Sequence, residues 1–295
     1  MPYTNELQRC FDIFALTLSL KKNNIWLIED ATENYPALFS LYIEMIQQDK
    51  QGFFAQSNDK PNILYSLERS KNFYYFTSDK QLLQTLEQMN TNDATDFMLI
   101  PLLYCLDVYK KNVHTSGMLI YKEEEAYKII LVNKQGTVTQ INVTTIPSEK
   151  IASLCSVLVS NRDNPDFETT FSILHELLTH SFPNKIMQLS YKMHPQKEGN
   201  CVVKEIEATL KTALFHCRHD LFASQDTKKI KWNDSPDSVY KMCAYLLAAI
   251  KKKLKCPTKP FDLLFDLYLQ RKDENWDTYP LSSKMKKKDP SRDPT

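Results

Sequence analysis

The chain has 295 residues, 42% of them apolar, and a formal net charge of +1, which suits one large domain or one domain with a helical appendage. Charges of both signs are mixed along it, so nothing calls for nucleic acid; with only 4 glycines, and no G-x-G-x-x-G or P-loop pattern, the simplest nucleotide-binding readings also fall away. The polar start and the short apolar run at 11–20 predict neither a signal peptide nor a membrane span, no other window approaches about 18 uninterrupted apolar residues, and 7 irregularly spaced cysteines read as reduced thiols in a cytosolic setting.

In chain order, residues 1–57 read as mainly helical, with the clearest apolar run at 37–46. Residues 63–65 and 73–76 read as short strands, and Thr77-Ser78-Asp79 caps a helix from Lys80 to about Met89. The run 97–104 reads as a buried strand interrupted by Pro101. Residues 113–121 and 127–133 form two antiparallel strands around the charged turn Glu123-Glu124-Glu125. A strand follows at 138–146, then a helix from Pro147-Ser148 to Val159 and a loop at 161–166. A further helix at 168–180 carries His175 and His180 on its surface, and a strand at 186–193 precedes the turn Gly199-Asn200. After about residue 224 the spacing predicts a helix from Ser235-Pro236 to Lys255, a last helix over 261–270, and a disordered tail over 284–295. Lys251, Lys252, Lys253 and Lys255 at a helix C-terminus suit the helix dipole; the second reading of this patch is an anionic-ligand or membrane-surface site. There is no C-x-x-C, and His216-Cys217-Arg218-His219 is too compact for a tetrahedral zinc site, so no metal is expected.

The chemistry centres on Cys201. Val202, Val203, Ile206, Leu210, Ala213, Leu214 and Cys217 recur at the amphipathic-helix spacing, and Gly199-Asn200 supply turn and cap. Cys201 therefore stands in the first turn of a helix, where unsatisfied N–H groups favour thiolate over thiol. Gln196, five residues upstream, is placed to offer a side-chain N–H to an oxyanion. His114 opens one strand and Asn133 ends the next, and in an antiparallel pair those ends are neighbours. The Asn133 oxygen would then orient the imidazole, giving the base and the holder that a thiol nucleophile needs. The competing readings are a surface histidine at a strand start and ordinary turn chemistry for Asn before Lys-Gln-Gly.

The order Ile100-Pro101, His114, Asn133, Gln196, Cys201 resembles the clan CE cysteine peptidases: the ubiquitin-like-protein-specific proteases and the related YopJ-type effectors. The resemblance covers roughly residues 70–217, and the nineteen-residue spacing of His114 and Asn133 is of that family's kind. Three positions depart from the family pattern. Thr115 stands where an aromatic usually follows the histidine, Asn133 where an acid is usual, and Gly199-Asn200-Cys201-Val202 where Asp-Cys-Gly surrounds the nucleophile. Gly-Asn-Cys is also similar to the ovarian-tumour deubiquitinases, but those need a late histidine, and His216 and His219 lie in or just after the Cys201 helix.

The resemblance implies an α+β fold: a mixed central sheet flanked by helices, papain-like, with helical additions. It divides the chain into an N-terminal helical extension over 1–69, a catalytic core over 70–223, C-terminal helices over 224–283 and a tail over 284–295. It implies a cysteine protease that removes ubiquitin or a ubiquitin-like protein from host target proteins without a cofactor. Cys201 would be the nucleophile, His114 the base, Asn133 the orienting group and Gln196 the oxyanion donor. The implied setting is a bacterial effector without a signal peptide, delivered into host cytoplasm by a non-classical route. Two alternatives use the same positions: a YopJ-like acetyltransferase working with acetyl-coenzyme A, and a catalytically degenerate binding module, which Asn133 favours.

Overall fold

A computed structural model describes residues 6–20, 31–105, 113–134, 140–180, 186–191, 193–194, 199–222, 229–255 and 259–273. Contacts divide the chain into two units, 1–256 and 257–295. The first carries α1 (Glu6–Thr17), α2 (Ala31–Gln48), α3 (Lys60–Asn72), α4 (Asp79–Glu87), β1 (Phe97–Cys105), β2 (Val113–Lys122), β3 (Ala126–Asn133), β4 (Gln140–Pro147), α5 (Ile151–Asp163), α6 (Phe167–Thr179), β5 (Met187–Gln188), α7 (Cys201–His216) and α8 (Ser238–Leu254). The second is described by α9 (Lys259–Asp273). The fold is α+β, as the sequence predicts.

The sheet runs β1-β2-β3-β4-β5, and every pair is antiparallel rather than mixed. The reason is local for the first four strands: each is joined to the next by a connection too short for a parallel crossover. The expected boundaries at 69 and 224 do not separate units. The α2 helix packs on both α3 and α8, and α3 packs on β1.

β1 is an edge strand, and its outward backbone groups are met by helix side chains. Phe97 N donates to Ser66 Oγ at 3.0 Å and Leu99 N to Ser70 Oγ at 2.8 Å, both on α3. Asn161 on α5 takes Leu103 N at 3.3 Å and returns a bond to Leu103 O at 2.9 Å; Cys105 N donates to Thr170 Oγ1 on α6 at 3.0 Å. Pro101 belongs to this outward series. A proline has no N–H to leave unpaired, so it does not interrupt the strand as the sequence suggests. At the start of the strand, Arg69 and Asp96 form a buried ion pair, with Asp96 also accepting from Asn90 N at 2.8 Å.

Two other elements differ from expectation. Residues 60–72 are helical and 73–75 form a 3-10 turn, where short strands were expected. Pro61 sits in the first turn of α3, where its missing N–H costs nothing, and Ile63, Ser66, Leu67 and Ser70 make a buried helical stripe. The expected strand at 186–193 shrinks to Met187–Gln188. The other helix and strand boundaries within the described residues shift by a few residues, and the expected tail over 284–295 lies outside the described residues. α6 starts with a capping box in which Asp166 accepts from Thr169 N and Thr169 Oγ1 from Asp166 N.

Candidate functional site

The α7 helix is buried along most of its length. Its stripe Cys201, Glu205, Thr209, Thr212, His216 follows the three-or-four spacing of a single face. Two contacts show that this face lies on β2. A Cβ added at Gly117 would meet Thr209 Oγ1 at 1.8 Å, so only glycine lets helix and strand approach this closely. Farther along, the His216 ring meets Tyr121 edge-on, with centroids 5.1 Å apart. Helix and strand therefore run in the same direction. Cys201 lies eight residues before Thr209, about 12 Å along the helix, which corresponds to roughly 3.6 strand residues before Gly117. That places Cys201 level with the start of β2, beside His114 in height.

The two are on different sides of the strand. Successive side chains of a strand alternate faces. Thr115, Gly117, Leu119 and Tyr121 share the α7 face. His114, Ser116, Met118, Ile120 and Lys122 share the other face, where Lys122 Nζ donates to Glu87 O of α4 at 2.5 Å. On β3, Lys128, Ile130 and Val132 lie on the α7 side, with Lys128 Nζ 4.0 Å from the centroid of the Phe222 ring. Asn133 falls on the side of His114.

His114 and Asn133 are brought together. His114 Nε2 and Asn133 Oδ1 are 3.1 Å apart; the amide oxygen can only accept, so the ring proton sits on Nε2 and Nδ1 is the basic nitrogen. His114 is 8% exposed. Burial lowers its pKa below 6.5, against an opposing contribution from Asn133. Tyr104, its register partner on β1, lies on the same face. Burial raises the Tyr104 phenol above its ordinary value, opposed by the Ser116 hydroxyl.

Cys201 is 4% exposed, at the first position of α7. Its neighbour on the α7 face is Tyr35 of α2, whose phenol is driven up mainly by burial, is opposed by Thr115 and is raised further by Cys201. The Tyr35 and Thr115 hydroxyls face one another without reaching hydrogen-bond geometry. Asn200 makes no side-chain cap for α7. Its amide donates instead to Leu16 O at 3.3 Å and Ser19 Oγ at 2.9 Å, closing the end of α1. Gln196, the proposed oxyanion donor, lies outside the described residues.

No protein-family model, curated protein or solved structure matches this chain.

The lysines for which an anionic ligand is the second reading are partly engaged. Lys252 Nζ pairs with Glu44 at 2.6 Å and Lys253 Nζ with Glu6 at 3.0 Å, tying α8 to α2 and α1. Lys255 ends α8 with φ 48°. Among the described residues no helix is long and apolar enough to cross a membrane.

A second group of charges did not stand out in the sequence. Lys134 N donates to both Glu205 oxygens, at 2.9 and 3.1 Å, and Lys204 Nζ pairs with Glu207 at 2.8 Å. Burial pushes the Glu205 carboxyl up to about 8 and the Lys211 ammonium down to about 8. The available signal was Lys204, Glu205, Glu207 and Lys211 inside a helix that the apolar spacing marks as core.

Proposed function

We propose that this chain is a partner-binding module, a catalytically degenerate relative in arrangement of the cysteine hydrolases it resembles. One observation carries the reading: the His114–Asn133 pair and Cys201 lie level along β2 but on opposite faces of the sheet. A general base must come within hydrogen-bond reach of its nucleophile, and a β-strand separates these two. Asn133 in place of an acid accords with lost chemistry. An apolar surface supports the binding role. Phe167, Phe171, Leu174 and Leu178 of α6 recur on one helical stripe and are 48%, 62%, 41% and 61% exposed. Four large exposed apolar side chains in a row are the composition of a protein-binding face.

The second reading is the thiol hydrolase that releases ubiquitin or a ubiquitin-like protein. The 3.1 Å His114–Asn133 contact favours it, as does Cys201 at a helix N-terminus. One experiment separates the two. The full chain is reacted with ubiquitin and ubiquitin-like probes carrying a C-terminal electrophile, and modified cysteines are mapped by mass spectrometry. The binding reading expects no adduct at Cys201. An adduct at Cys201 that disappears in His114→Ala would overturn it in favour of the hydrolase.

A further inference from the structure

A cleft lies between the end of α2 and the half-buried side of α8. Two contacts set the helices antiparallel there: Lys252 Nζ pairs with Glu44 at 2.6 Å, and Tyr245 Oη approaches Asp49 Oδ1 at 3.5 Å. Lys241, Ala244, Tyr245 and Ala248 recur at i, i+3, i+4 and i+7, one stripe of α8 spanning about 10 Å. Opposite stands Gln48, the last residue of α2. Ala244 and Ala248 carry only a methyl group each. The room that longer side chains would fill remains as a cavity of about 270 Å³ lined by these five residues.

The apolar wall of the cavity is fixed. The Tyr245 ring stacks on Phe53, with centroids 5.7 Å apart, and meets Phe54 edge-on at 5.2 Å. Met242, Leu246, Ala249 and Ile250 of α8 are fully buried, which holds the helix in place and keeps the two alanines from closing the gap.

The polar atoms at the cavity are unequally used. Gln48 Nε2 donates to Glu44 Oε1 at 2.9 Å. The amide nitrogen must face that carboxylate, so Gln48 Oε1 is turned away from it, and among the described residues no donor reaches this oxygen. Lys241 Nζ lies 3.2 Å from Ser235 Oγ and forms no ion pair among the described residues. The neighbouring carboxylates are both engaged. Glu44 is taken by Lys252 and Gln48; Asp49 accepts from Gln51 N at 3.0 Å, Phe54 N at 2.8 Å and the Tyr245 hydroxyl. The cleft therefore offers one uncompensated ammonium, one acceptor and a rigid apolar wall with an aromatic ring.

We propose that this cleft binds a small aromatic carboxylate. The ligand ring lies against Ala244, Ala248 and Tyr245, a ring N–H donates to Gln48 Oε1, and the carboxylate meets Lys241 at the exposed end. A mainly apolar cavity with a few placed polar groups is the usual form of a small-molecule site. Its volume is near the lower bound of such sites, about 300 Å³, and so suits one or two fused rings. The site uses neither Cys201 nor α6 and stands apart from the partner-binding reading.

The test titrates the full-length chain, carbon-13-labelled in its alanine methyl groups, with indole-3-acetate. The expected result is a saturable shift of the Ala244 and Ala248 methyl signals, with a Kd of about 0.1–1 mM for so small a ligand. 3-Methylindole keeps the ring and its N–H but lacks the carboxylate, and should bind about tenfold more weakly. Lys241→Gln should weaken indole-3-acetate to about the level of 3-methylindole and leave 3-methylindole unchanged. Lys241 is exposed, so this variant tests the site without disturbing the fold. Ala244→Leu fills the cavity and should weaken both compounds by about tenfold or more at an unchanged melting temperature. Any of five results overturns the proposal. These are no saturable shift at either methyl, equal affinity for the two compounds, unchanged affinity in Lys241→Gln, unchanged affinity in Ala244→Leu, and tighter binding of a peptide ending in tryptophan, which would assign the cleft to a protein C-terminus.

Discussion

Gly117→Ala tests the packing on which the placement of Cys201 depends. The added Cβ would stand 1.8 Å from Thr209 Oγ1, 2.6 Å from Thr209 Cβ and 2.8 Å from Cγ2. A new rotamer of Thr209 can move Oγ1 and Cγ2 but not Cβ. Reaching an ordinary contact distance of 3.4 Å from Cβ requires α7 to retreat from β2 by nearly an ångström. Buried cores transmit such a shift, and Val203, Ile206, Leu210 and Leu214 of α7 are all fully or almost fully buried. Overpacking usually costs about 1–3 kcal/mol, and a backbone-to-helix clash belongs at or above the upper end. We therefore expect a loss of about 3 kcal/mol, a large share of a typical folding stability of about 5–15 kcal/mol. Urea unfolding followed by circular dichroism measures it. Thr209→Gly should cost about 1 kcal/mol or more alone, through helix propensity and lost packing. Combined with Gly117→Ala it should give back part of the loss, a coupling that a double-mutant cycle reads directly. A loss under about 1 kcal/mol in Gly117→Ala, with no coupling to Thr209, would mean that α7 does not lie on this face of β2. The separation of Cys201 from His114 would then lose its basis.

Four other outcomes are expected. Arg69→Met strands the buried Asp96 carboxylate and should cost about 3–5 kcal/mol in urea unfolding; a cost near zero would show that solvent reaches Asp96. Asn161→Ala leaves the N–H of Leu103 without a side-chain partner on the sheet edge and its C=O with only the 3.5 Å contact from Thr170 Oγ1, and should cost about 2 kcal/mol. His114 and His216 are held below 6.5 mainly by burial. As pH falls through 6.5 the unfolded chain takes up protons that the folded chain refuses, so stability is full above that pH and declines below it. His114→Gln should flatten the decline between about pH 7.5 and pH 5.5, and an unchanged slope would contradict the assigned burial effect. Glu205 has the opposite sign: its folded pKa of about 8 lies above the ordinary 4.5, so its contribution weakens as pH rises between those values. Glu205→Gln should gain stability relative to the parent at pH 8 compared with pH 5, read as the shift in urea midpoint.

The amino-acid sequence determined the elements that depend on near neighbours. The periodicity of 202–217 marked α7, and alternation around the charged turn Glu123-Glu124-Glu125 marked β2 and β3 as a hairpin. The meeting of His114 with Asn133 was legible for the same reason, because a hairpin places the start of one strand beside the end of the other. Three matters were decided only by tertiary structure. Pro101 sits within β1 without breaking it because α3, α5 and α6 serve the edge of that strand, and no local pattern shows which edge faces a helix. Asn200 serves α1 rather than its own helix, a contact across more than 180 residues of chain. The relation of Cys201 to His114 depends on which face of β2 receives α7. That choice was made by the close approach of Gly117 and Thr209, two residues 92 positions apart whose complementarity exists only once helix and sheet have packed.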